Sequence, residues 1–264
     1  MSSALQKLVV VTGASRGIGR AVSEALLRQG VSVLGVARSS EQLQATLKAT
    51  ESLHSTARFI PCAADLTRSA DVQAVYSAVK ATDLELVGLV NNAGALAPLA
   101  RIADVNISEL RSHFDINVVA VAEITQLLLP LLRAAPGKGR VVNVSSGAAS
   151  HAYVGWGAYC VSKAALNMLT SCLAVEEPDV VAVALRPGVV DTEMQALIRS
   201  EDGRGAMVAD QHKKFTELHR TGTLLRPEQP AAVIAGLVLG AEDSLSGAFY
   251  SWDSPEVAKY ALKN

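Results

Sequence analysis

Cysteine, charge and aromatic residues are all scarce in this chain of 264 residues. The three cysteines, Cys62, Cys160 and Cys172, are widely spaced and form no CxxC pair, so the sequence predicts neither a disulfide framework nor a zinc site. We expect buried thiols in a reducing compartment. Charged residues make up 19% of the chain, and 24 basic residues against 25 acidic ones leave a formal charge of −1. That balance argues against nucleic acid or an anionic membrane surface as the main partner.

Long apolar runs and metal-binding spacings are also missing. The longest apolar stretch, Val118 to Leu132, is interrupted by Glu123, Gln126 and Pro130, so it predicts no membrane span. Met1 to Lys7 has no basic start followed by an apolar run, and we therefore expect no secretory signal peptide. None of the five histidines stands at a metal-ligand spacing with nearby carboxylates, so no metal is expected. These absences favour a cytoplasmic protein.

The chain does contain a regular alternation of short apolar runs and helical spacings, and half of it is hydrophobic. Leu8 to Thr12 is a continuous apolar run, as expected for a strand covered on both faces. Strands are predicted at 8–12, 31–36, 58–61, 86–90, 140–144 and 180–185, and helices at 20–29, 40–50, 71–81, 108–132 and 159–176. The repeated βα alternation predicts one α/β domain over residues 1–264, with a Rossmann-type, doubly wound parallel sheet and helices on both faces.

One segment departs from this alternation. Residues 194–226 are richer in charge and carry three scattered glycines among short helical pieces. A long excursion inside a compact α/β domain is more often functional than filler, so we expect a lid over the substrate.

The first strand leads directly into a glycine-rich turn, Thr12-Gly-Ala-Ser-Arg-Gly-Ile-Gly19. Its glycines, at 13, 17 and 19, permit a tight turn and a close approach of the backbone to a pyrophosphate. The N-terminus of the following helix attracts negative charge. A plain glycine turn is the alternative, but the position between strand and helix favours a dinucleotide site.

The end of the second strand indicates which dinucleotide binds. NAD-binding sheets carry an acidic residue about 20 residues beyond the glycines, on the ribose hydroxyls. Here Ala37 takes that place and Arg38 follows it. Arg38 and Arg16 can both bind a 2′-phosphate, although either alone is equally typical of a solvated surface charge. Together they favour NADPH, with at least a tenfold preference over NADH. Asp65-Leu66 and Asn91-Asn-Ala-Gly94 end the next two strands, where they would border the cofactor.

A second group of residues indicates proton-transfer chemistry. Tyr159 and Lys163 are four residues apart and lie on one face of a predicted helix. The ammonium would lower the pKa of the phenol from about 10 towards working pH, so that Tyr159 can protonate a carbonyl oxygen. Ser146 would steady the developing oxyanion. The alternative is an ordinary surface pair of tyrosine and lysine.

These motifs together resemble the short-chain dehydrogenase/reductase family over nearly the whole chain. The remaining motif is Pro187-Gly-Val-Val-Asp-Thr192, and Ser146 precedes Tyr159 by the 13 residues usual in that family. The resemblance implies a catalytic set of Asn117, Ser146, Tyr159 and Lys163, in which Asn117 holds a water of a proton relay. It also implies cofactor contacts from Gly13, Ser15, Arg16, Gly17, Ile18, Gly19, Arg38, Asp65, Leu66, Asn92, Ala93, Gly94, Tyr159, Lys163, Pro187, Gly188, Val190 and Thr192.

Within the family, the chain resembles the sepiapterin reductases and, more closely, the fungal-type benzil reductases that form (S)-benzoin. The likeness lies in 156–165, 176–178 and 187–195, and for the benzil reductases in 145–148, 230–233 and 244–247. Sepiapterin reductases hold the pterin with a carboxylate near the C-terminus. Ser251 takes that place here and Asp253 lies two residues away, which weakens the pterin interpretation.

The same resemblance predicts a substrate pocket. Its expected lining is Ser146 and Tyr159 with Leu96, Trp156, Met194 and Gln195, which suits an aromatic ketone or diketone better than a sugar or a charged acid. Trp156 and Met194 could instead simply fill core.

The function expected from all of this is NADPH-dependent reduction of one carbonyl of an aromatic or vicinal diketone. Reduction of a pterin and an NADPH-sensing binding protein are the alternatives. The partner is then a small carbonyl compound. Two long apolar helices, Ile107 to Leu132 and Tyr159 to Glu176, resemble those that pair into a four-helix dimer interface in this family, so a homodimer is expected.

Overall fold

A computed structural model describes residues 6–263, and its centre is a parallel sheet of seven strands. In chain order the strands are β1 (Lys7–Thr12), β2 (Ser32–Ala37), β3 (Phe59–Ala63), β4 (Glu85–Asn91), β5 (Gly139–Val144), β6 (Val180–Arg186) and β7 (Phe249–Ser251). Their order across the sheet is β3-β2-β1-β4-β5-β6-β7, and every neighbouring pair is parallel. The chain reverses direction across the sheet between β1 and β4, where a doubly wound fold binds its ligand.

Helices cover both faces of this sheet. They are α1 (Gly17–Arg28), α2 (Ser40–Thr50), α3 (Ser69–Lys80), α4 (Ile107–Phe114), α5 (Ala120–Arg133), α6 (Gly157–Glu176), α7 (Glu193–Arg199), α8 (Glu201–Ala206), α9 (Ala209–Arg220), α10 (Glu228–Gly240) and α11 (Pro255–Ala258). Alternate residues of β1 enter opposite cores, with Val9 and Val11 on one face and Leu8 and Val10 on the other. The predicted doubly wound α/β fold is therefore confirmed.

The sequence predicted most elements to within three residues, and it missed the strand β7 and the helices α10 and α11. β7 has only three residues, all of them half-buried, and so lacks a recognisable apolar run. The predicted strand 58–61 runs instead from Phe59 to Ala63, because its partner β2 pairs with it to Ala37. The cap of α2 is Ser39, whose hydroxyl accepts a hydrogen bond from the Gln42 amide.

The predicted helix 108–132 is interrupted, although not by its proline. A π-helical turn over Asp115–Val119 joins α4 to α5, and Pro130 lies inside α5 without ending it. By length and composition alone, this helix and α6 are apolar enough to cross a membrane, contrary to the sequence expectation for 118–132. That indication is weak because core helices pass the same test, and Ile124, Leu128 and Leu132 are buried beneath the sheet.

The excursion at 194–226 is built from α7, α8 and α9, in agreement with the short helical pieces predicted there.

The cysteines are free, but the expectation of buried thiols is wrong: Cys172 is exposed, and Cys62 and Cys160 are only partly covered. Cys172 lies on the outer side of α6, where the core does not reach.

Candidate active site

The glycine-rich turn is held in place by hydrogen bonds from the adjacent strand. The hydroxyl of Thr12 accepts from the backbone amides of Asn92 and Ala93, at 2.9 and 3.0 Å. The side-chain amide of Asn92 returns to the carbonyls of Thr12 and Gly13, at 2.9 and 3.3 Å. Asn92, which we predicted to contact the cofactor, thus uses its amide group to brace the turn.

The residues of this turn fit a dinucleotide pyrophosphate. Gly13 has a φ of +66°, and a Cβ there would lie 2.7 Å from the Asn92 amide nitrogen. A Cβ at Gly19 would lie 2.2 Å from the carbonyl oxygen of Gly13. No side chain caps the N-terminus of α1, which follows Arg16, so its first amides face the turn without a side-chain partner. Such amides and the helix dipole favour a bound anion.

The two arginines predicted to select a 2′-phosphate differ in their surroundings. Arg16 forms an ion pair with Glu193, the first residue of α7. Arg38 lies exposed beyond β2 and forms no ion pair within residues 6–263. Hydrogen bonds from Thr67 lower the pKa of Asp65, and the charge of Arg38 adds to that effect. Asp65 therefore accepts bonds from its own loop.

The other predicted cofactor residues have different surroundings. Leu66 is buried in the core, and the carbonyl of Ser15 accepts a hydrogen bond from Thr46. A Cβ at Gly17 would lie 3.3 Å from the side chain of Thr192. Five of these residues border one cavity beyond the carboxyl ends of the strands: Ile18, Pro187, Gly188, Val190 and Thr192.

The predicted catalytic residues converge at the carboxyl ends of β4 and β5. The Nζ atom of Lys163 donates to the carbonyl of Val144 at 2.9 Å and lies 5.7 Å from the centre of the Tyr159 ring. A Cβ at Gly94 would lie 3.0 Å from Asn117 Oδ1 and 3.6 Å from Lys163 Nζ. The structure therefore brings Gly94, Asn117, Tyr159 and Lys163 together.

Burial sets the protonation of the tyrosine and lysine. Tyr159 and Lys163 are only 6% and 5% exposed. Burial raises the pKa of Tyr159 to about 12, with the neighbouring Ser146 hydroxyl opposing the rise, and burial lowers the pKa of Lys163 to about 8. The expectation of a Tyr159 pKa below 10 is wrong for this structure, because desolvation of the phenolate is the largest effect on it.

Asn117 lies within the π-helical turn, where its side chain is fully engaged. Its Oδ1 accepts from the amide of Ala95 and its Nδ2 donates to the carbonyl of Ala95, both at 2.8 Å. The second Nδ2 hydrogen points to Nε2 of His113 at 2.8 Å. With both amide hydrogens used, any water of the predicted relay has to be held by the main chain, and π-turns commonly interrupt a helix at functional sites.

His113 is a buried part of this arrangement that the sequence analysis did not single out. Its Nδ1 contacts the carbonyl of Ala97 at 2.7 Å, so the hydrogen belongs on Nδ1 and Nε2 is the acceptor for Asn117. Burial lowers the pKa of His113, and the charge of Lys163 adds to that effect. A neutral His113 thus fixes the orientation of the Asn117 amide. His113 lies four residues before Asn117, on the same face of a helix, and this spacing in the sequence could have identified it as a neighbour of Asn117.

The two candidate serines have different surroundings. Ser145 is 2% exposed and donates to Asn167 Oδ1 at 2.6 Å. The hydroxyl of Ser146 accepts a hydrogen bond from the Ala148 amide at 3.1 Å, and it acts to lower the pKa of the Tyr159 phenol, against the effect of burial. This arrangement favours Ser146, as the family spacing did.

The same cavity, with a volume of about 470 Å³, extends beside Tyr159 and Ser146, so the predicted cofactor and substrate residues border one space. All four predicted pocket residues line it: Leu96, Trp156, Met194 and Gln195. Tyr153, Ile198 and Phe215 also line it, and the sequence analysis missed them because they carry no motif. The hydroxyl of Tyr159 lies 3.9 Å from the sulfur of Met194. The 194–226 segment therefore closes one side of the cavity.

Trp156 belongs both to the cavity wall and to a small aromatic core. It stacks on Phe215 of α9 with ring centres 5.4 Å apart, and it packs against Tyr153 at 4.8 Å. Tyr159 meets its ring edge-on at 5.9 Å. Core filling and pocket lining, which we posed as alternatives, are thus combined in one side chain.

Charged side chains also line the cavity, and the sequence analysis missed two of them. Arg186 ends β6 and Lys214 belongs to α9. Asp253 lines the cavity too, and one of its oxygens accepts a hydrogen bond from Ser251. The pocket is therefore aromatic with a charged portion.

Comparisons with known proteins agree with this architecture. The family model described as short chain dehydrogenase matches residues 7–203. The chain is 38% identical over 256 residues to a benzil reductase ((S)-benzoin forming) of Saccharomyces cerevisiae, covering 94% of this chain and 96% of that one. It is 34% identical over 239 residues to sepiapterin reductase of Mus musculus, covering 87% and 90%.

A solved structure from Saccharomyces cerevisiae, described as a cytoplasmic protein with unknown function, superimposes with a TM-score of 0.79 at 34% identity. The match covers 97% of this chain and all of that one. The fold, the assembled motifs and these similarities lead to one assignment: the chain belongs to the short-chain dehydrogenase/reductase family of nicotinamide-dependent oxidoreductases.

Proposed function

We propose that the protein is an NADPH-dependent reductase of aromatic or vicinal diketones, which converts one carbonyl to an alcohol. One observation carries the proposal: the phenol of Tyr159, kept neutral by burial, lies beside Lys163 at the wall of an aromatic cavity. A neutral phenol is the form that can donate a proton. The similarity to a benzil reductase supports the choice of substrate.

The chain's own groups provide binding and proton transfer. Bound nicotinamide supplies the hydride to the carbonyl carbon. Tyr159 donates its proton to the carbonyl oxygen, and Ser146 donates a hydrogen bond to the charge that develops there. The ammonium of Lys163 stabilises the phenolate left on Tyr159, because both groups are buried and their attraction is weakly screened. Asn117, held by Ala95 and His113, keeps the π-turn in place beside Lys163.

The preference for NADPH rests on the second strand. Ala37 offers no carboxylate to repel a 2′-phosphate, and Arg38 stays available for one. Arg16 is paired with Glu193, so Arg38 is the main determinant in this proposal.

A homodimer in the cytoplasm completes the proposal. Val161, Met168 and Val175 recur every seven residues along α6, and they are 54%, 64% and 84% exposed. Such a stripe of exposed apolar side chains suits a helix-to-helix contact with a second copy. Sedimentation should give a dimer that Met168→Lys converts to a monomer; a monomeric wild type would contradict the assembly. The similarity to a structure described as cytoplasmic supports the location.

Reduction of a pterin is a second candidate because Asp253 lines the cavity. Two residues from the expected anchor in sequence, it still borders the same space as Tyr159. A carboxylate there can bind an amino-pterin ring through charge-assisted hydrogen bonds.

The deciding experiment measures NADPH oxidation with benzil, sepiapterin and a simple aromatic ketone, for the wild type and Tyr159→Phe. Benzil turnover that falls by about three orders of magnitude or more in the variant supports the proposed reaction. Sepiapterin turnover alone, lost in Asp253→Asn, selects the second candidate. NADPH binding without turnover of any carbonyl contradicts both and favours a sensing protein.

A further inference from the structure

Arg186 is a cation in the cavity wall that the proposed reaction does not use. It ends β6, is half-buried, and lines the cavity together with Ser146 and Gly147. Among residues 6–263 its guanidinium has no hydrogen bond and no ion pair. A guanidinium stays charged at all relevant pH values, so it faces the cavity as an uncompensated positive charge.

The space in front of Arg186 adjoins the predicted oxyanion donor. A Cβ built on Gly147 would meet one atom within 4 Å, Nη1 of Arg186 at 3.8 Å. Gly147 follows Ser146 directly, so the guanidinium borders open space one residue from the serine hydroxyl. Ser146, Gly147 and Arg186 thus line the same part of the cavity wall.

The cavity as a whole also favours an anion. Its charged lining consists of two cations, Arg186 and Lys214, against one carboxylate, Asp253. That carboxylate is already an acceptor for Ser251. A concave site with excess positive charge and apolar walls concentrates anions, since low-dielectric walls focus the field.

We propose that Arg186 forms an anion subsite and that the substrates include aromatic carbonyl compounds with a carboxylate next to the carbonyl, such as aryl 2-oxo acids. The sequence analysis disfavoured charged acids because it did not include Arg186 in the pocket. This inference rests on the proposed carbonyl reduction for the position of the reacting group. The aromatic ring packs near Trp156, the ketone oxygen is held by Tyr159 and Ser146, and the carboxylate binds the guanidinium fork of Arg186. Bidentate binding is the geometry for which arginine is suited.

The test compares phenylglyoxylate with its neutral ethyl ester in NADPH-dependent turnover. The variants are Arg186→Met, which removes the charge at similar length, and Arg186→Lys, which keeps the charge without the fork. Lys213→Met is the control, since it removes a cation from α9 at an exposed position outside the cavity lining. Turnover of the ester in every variant shows that each is folded.

In Arg186→Met, kcat/KM for the acid should fall by about 20-fold, mostly through KM, while the ester changes by less than about twofold. Arg186→Lys should recover part of the loss, and Lys213→Met should match the wild type. Equal losses for acid and ester would overturn the subsite, as would a wild type that turns over the ester but not the acid.

Calorimetry separates this inference from the function it rests on. Phenylglyoxylate is titrated into the protein saturated with NADP⁺. Binding that is lost in Arg186→Met upholds the subsite even if no carbonyl is reduced. Benzil turnover without phenylglyoxylate binding upholds the reductase and refutes the subsite.

Discussion

The two ends of the candidate site are built in different ways. At the cofactor end, the glycine-rich turn is held by Thr12 and Asn92 from adjacent strands, and its groups are largely backbone. At the substrate end, the walls are side chains from segments far apart in sequence, such as Trp156 and Phe215.

Because of this difference, the two ends of the site tolerate different amino-acid substitutions. A backbone site depends on a few local positions and recognises the part that all its ligands share. A side-chain site depends on packing between distant elements, so its shape changes with any of them. We therefore expect cofactor binding and substrate selection to respond to different substitutions, and the four predictions below test that separation.

The largest effect is expected at the aromatic cluster. Trp156→Ala should lower the free energy of unfolding by about 3 to 5 kcal/mol, because a large buried ring is lost from a packed cluster. The KM for benzil should rise about tenfold, since the ring also lines the cavity, while the Kd for NADPH stays unchanged. Urea unfolding and steady-state kinetics measure both, with Trp156→Phe as the conservative control. An unchanged KM would reduce Trp156 to a core residue.

The matching test at the cofactor end is Thr12→Val, which keeps the shape and removes the hydroxyl. Two backbone amides lose their acceptor, and we expect a loss of about 2 kcal/mol in stability together with weaker NADPH binding. The KM for benzil should be nearly unaffected at saturating cofactor. The control is Thr50→Val, whose hydroxyl only donates to carbonyls within α2. Equal effects of the two variants on cofactor affinity would refute the bracing role of Thr12.

A third test concerns cofactor choice. Arg38→Asp should lower the preference for NADPH over NADH by at least about tenfold, or about 1.4 kcal/mol, because a carboxylate repels the 2′-phosphate. The kcat/KM ratio for the two cofactors is the measurement. The control Arg58→Asp makes the same charge change just before β3, at the amino ends of the strands, whereas Arg38 lies at their carboxyl ends. If Arg38→Asp leaves the preference unchanged, the proposed preference for NADPH is contradicted.

The smallest effect lies where the two ends meet. Burial places the pKa of Lys163 near 8 and that of Tyr159 near 12, so kcat/KM for reduction should fall by half at about pH 8 as the ammonium loses its proton. In Lys163→Arg the fall should move to higher pH. A wild-type fall near pH 10 or above would assign it to another group.

The same burial has a consequence for stability with a definite sign. Between pH 8 and about 10.5, the folded chain holds fewer protons on Lys163 than the unfolded chain does. The contribution of Lys163 to the free energy of unfolding therefore rises with pH across that window. Tyr159, whose pKa is raised, acts in the opposite direction only between about 10 and 12.

The sequence predicted features that depend on neighbours along the chain. The alternation of strands and helices, the glycine-rich turn, and the Tyr159–Lys163 spacing all follow from local periodicity, and the structure has each of them. The strand β7 was missed because its three residues show no period.

Features that depend on distant parts of the chain were out of reach. Phe215 stacks on Trp156 only because α9 folds back over the cavity. Arg186 looks like an ordinary strand end until β7 and the 147–149 turn place a cavity in front of it. The pKa of Tyr159 was misjudged because one neighbour was considered and total burial, which involves the whole domain, was not.

The π-turn at Asp115–Val119 sets the rotation of α5 about its axis relative to α4. Each residue of an α-helix advances about 100° around its axis, and the π-turn holds one residue more than a regular turn, so a change to regular α-helical hydrogen bonding with every residue kept would rotate the whole of α5 by about that angle relative to α4. Ile124, Leu128 and Leu132 would then swing out of the core. A switch of Asp115–Val119 to a regular α-helix is thus opposed by three fully buried side chains far from the reaction. Packing that has no part in the chemistry therefore maintains the irregular turn at Asn117.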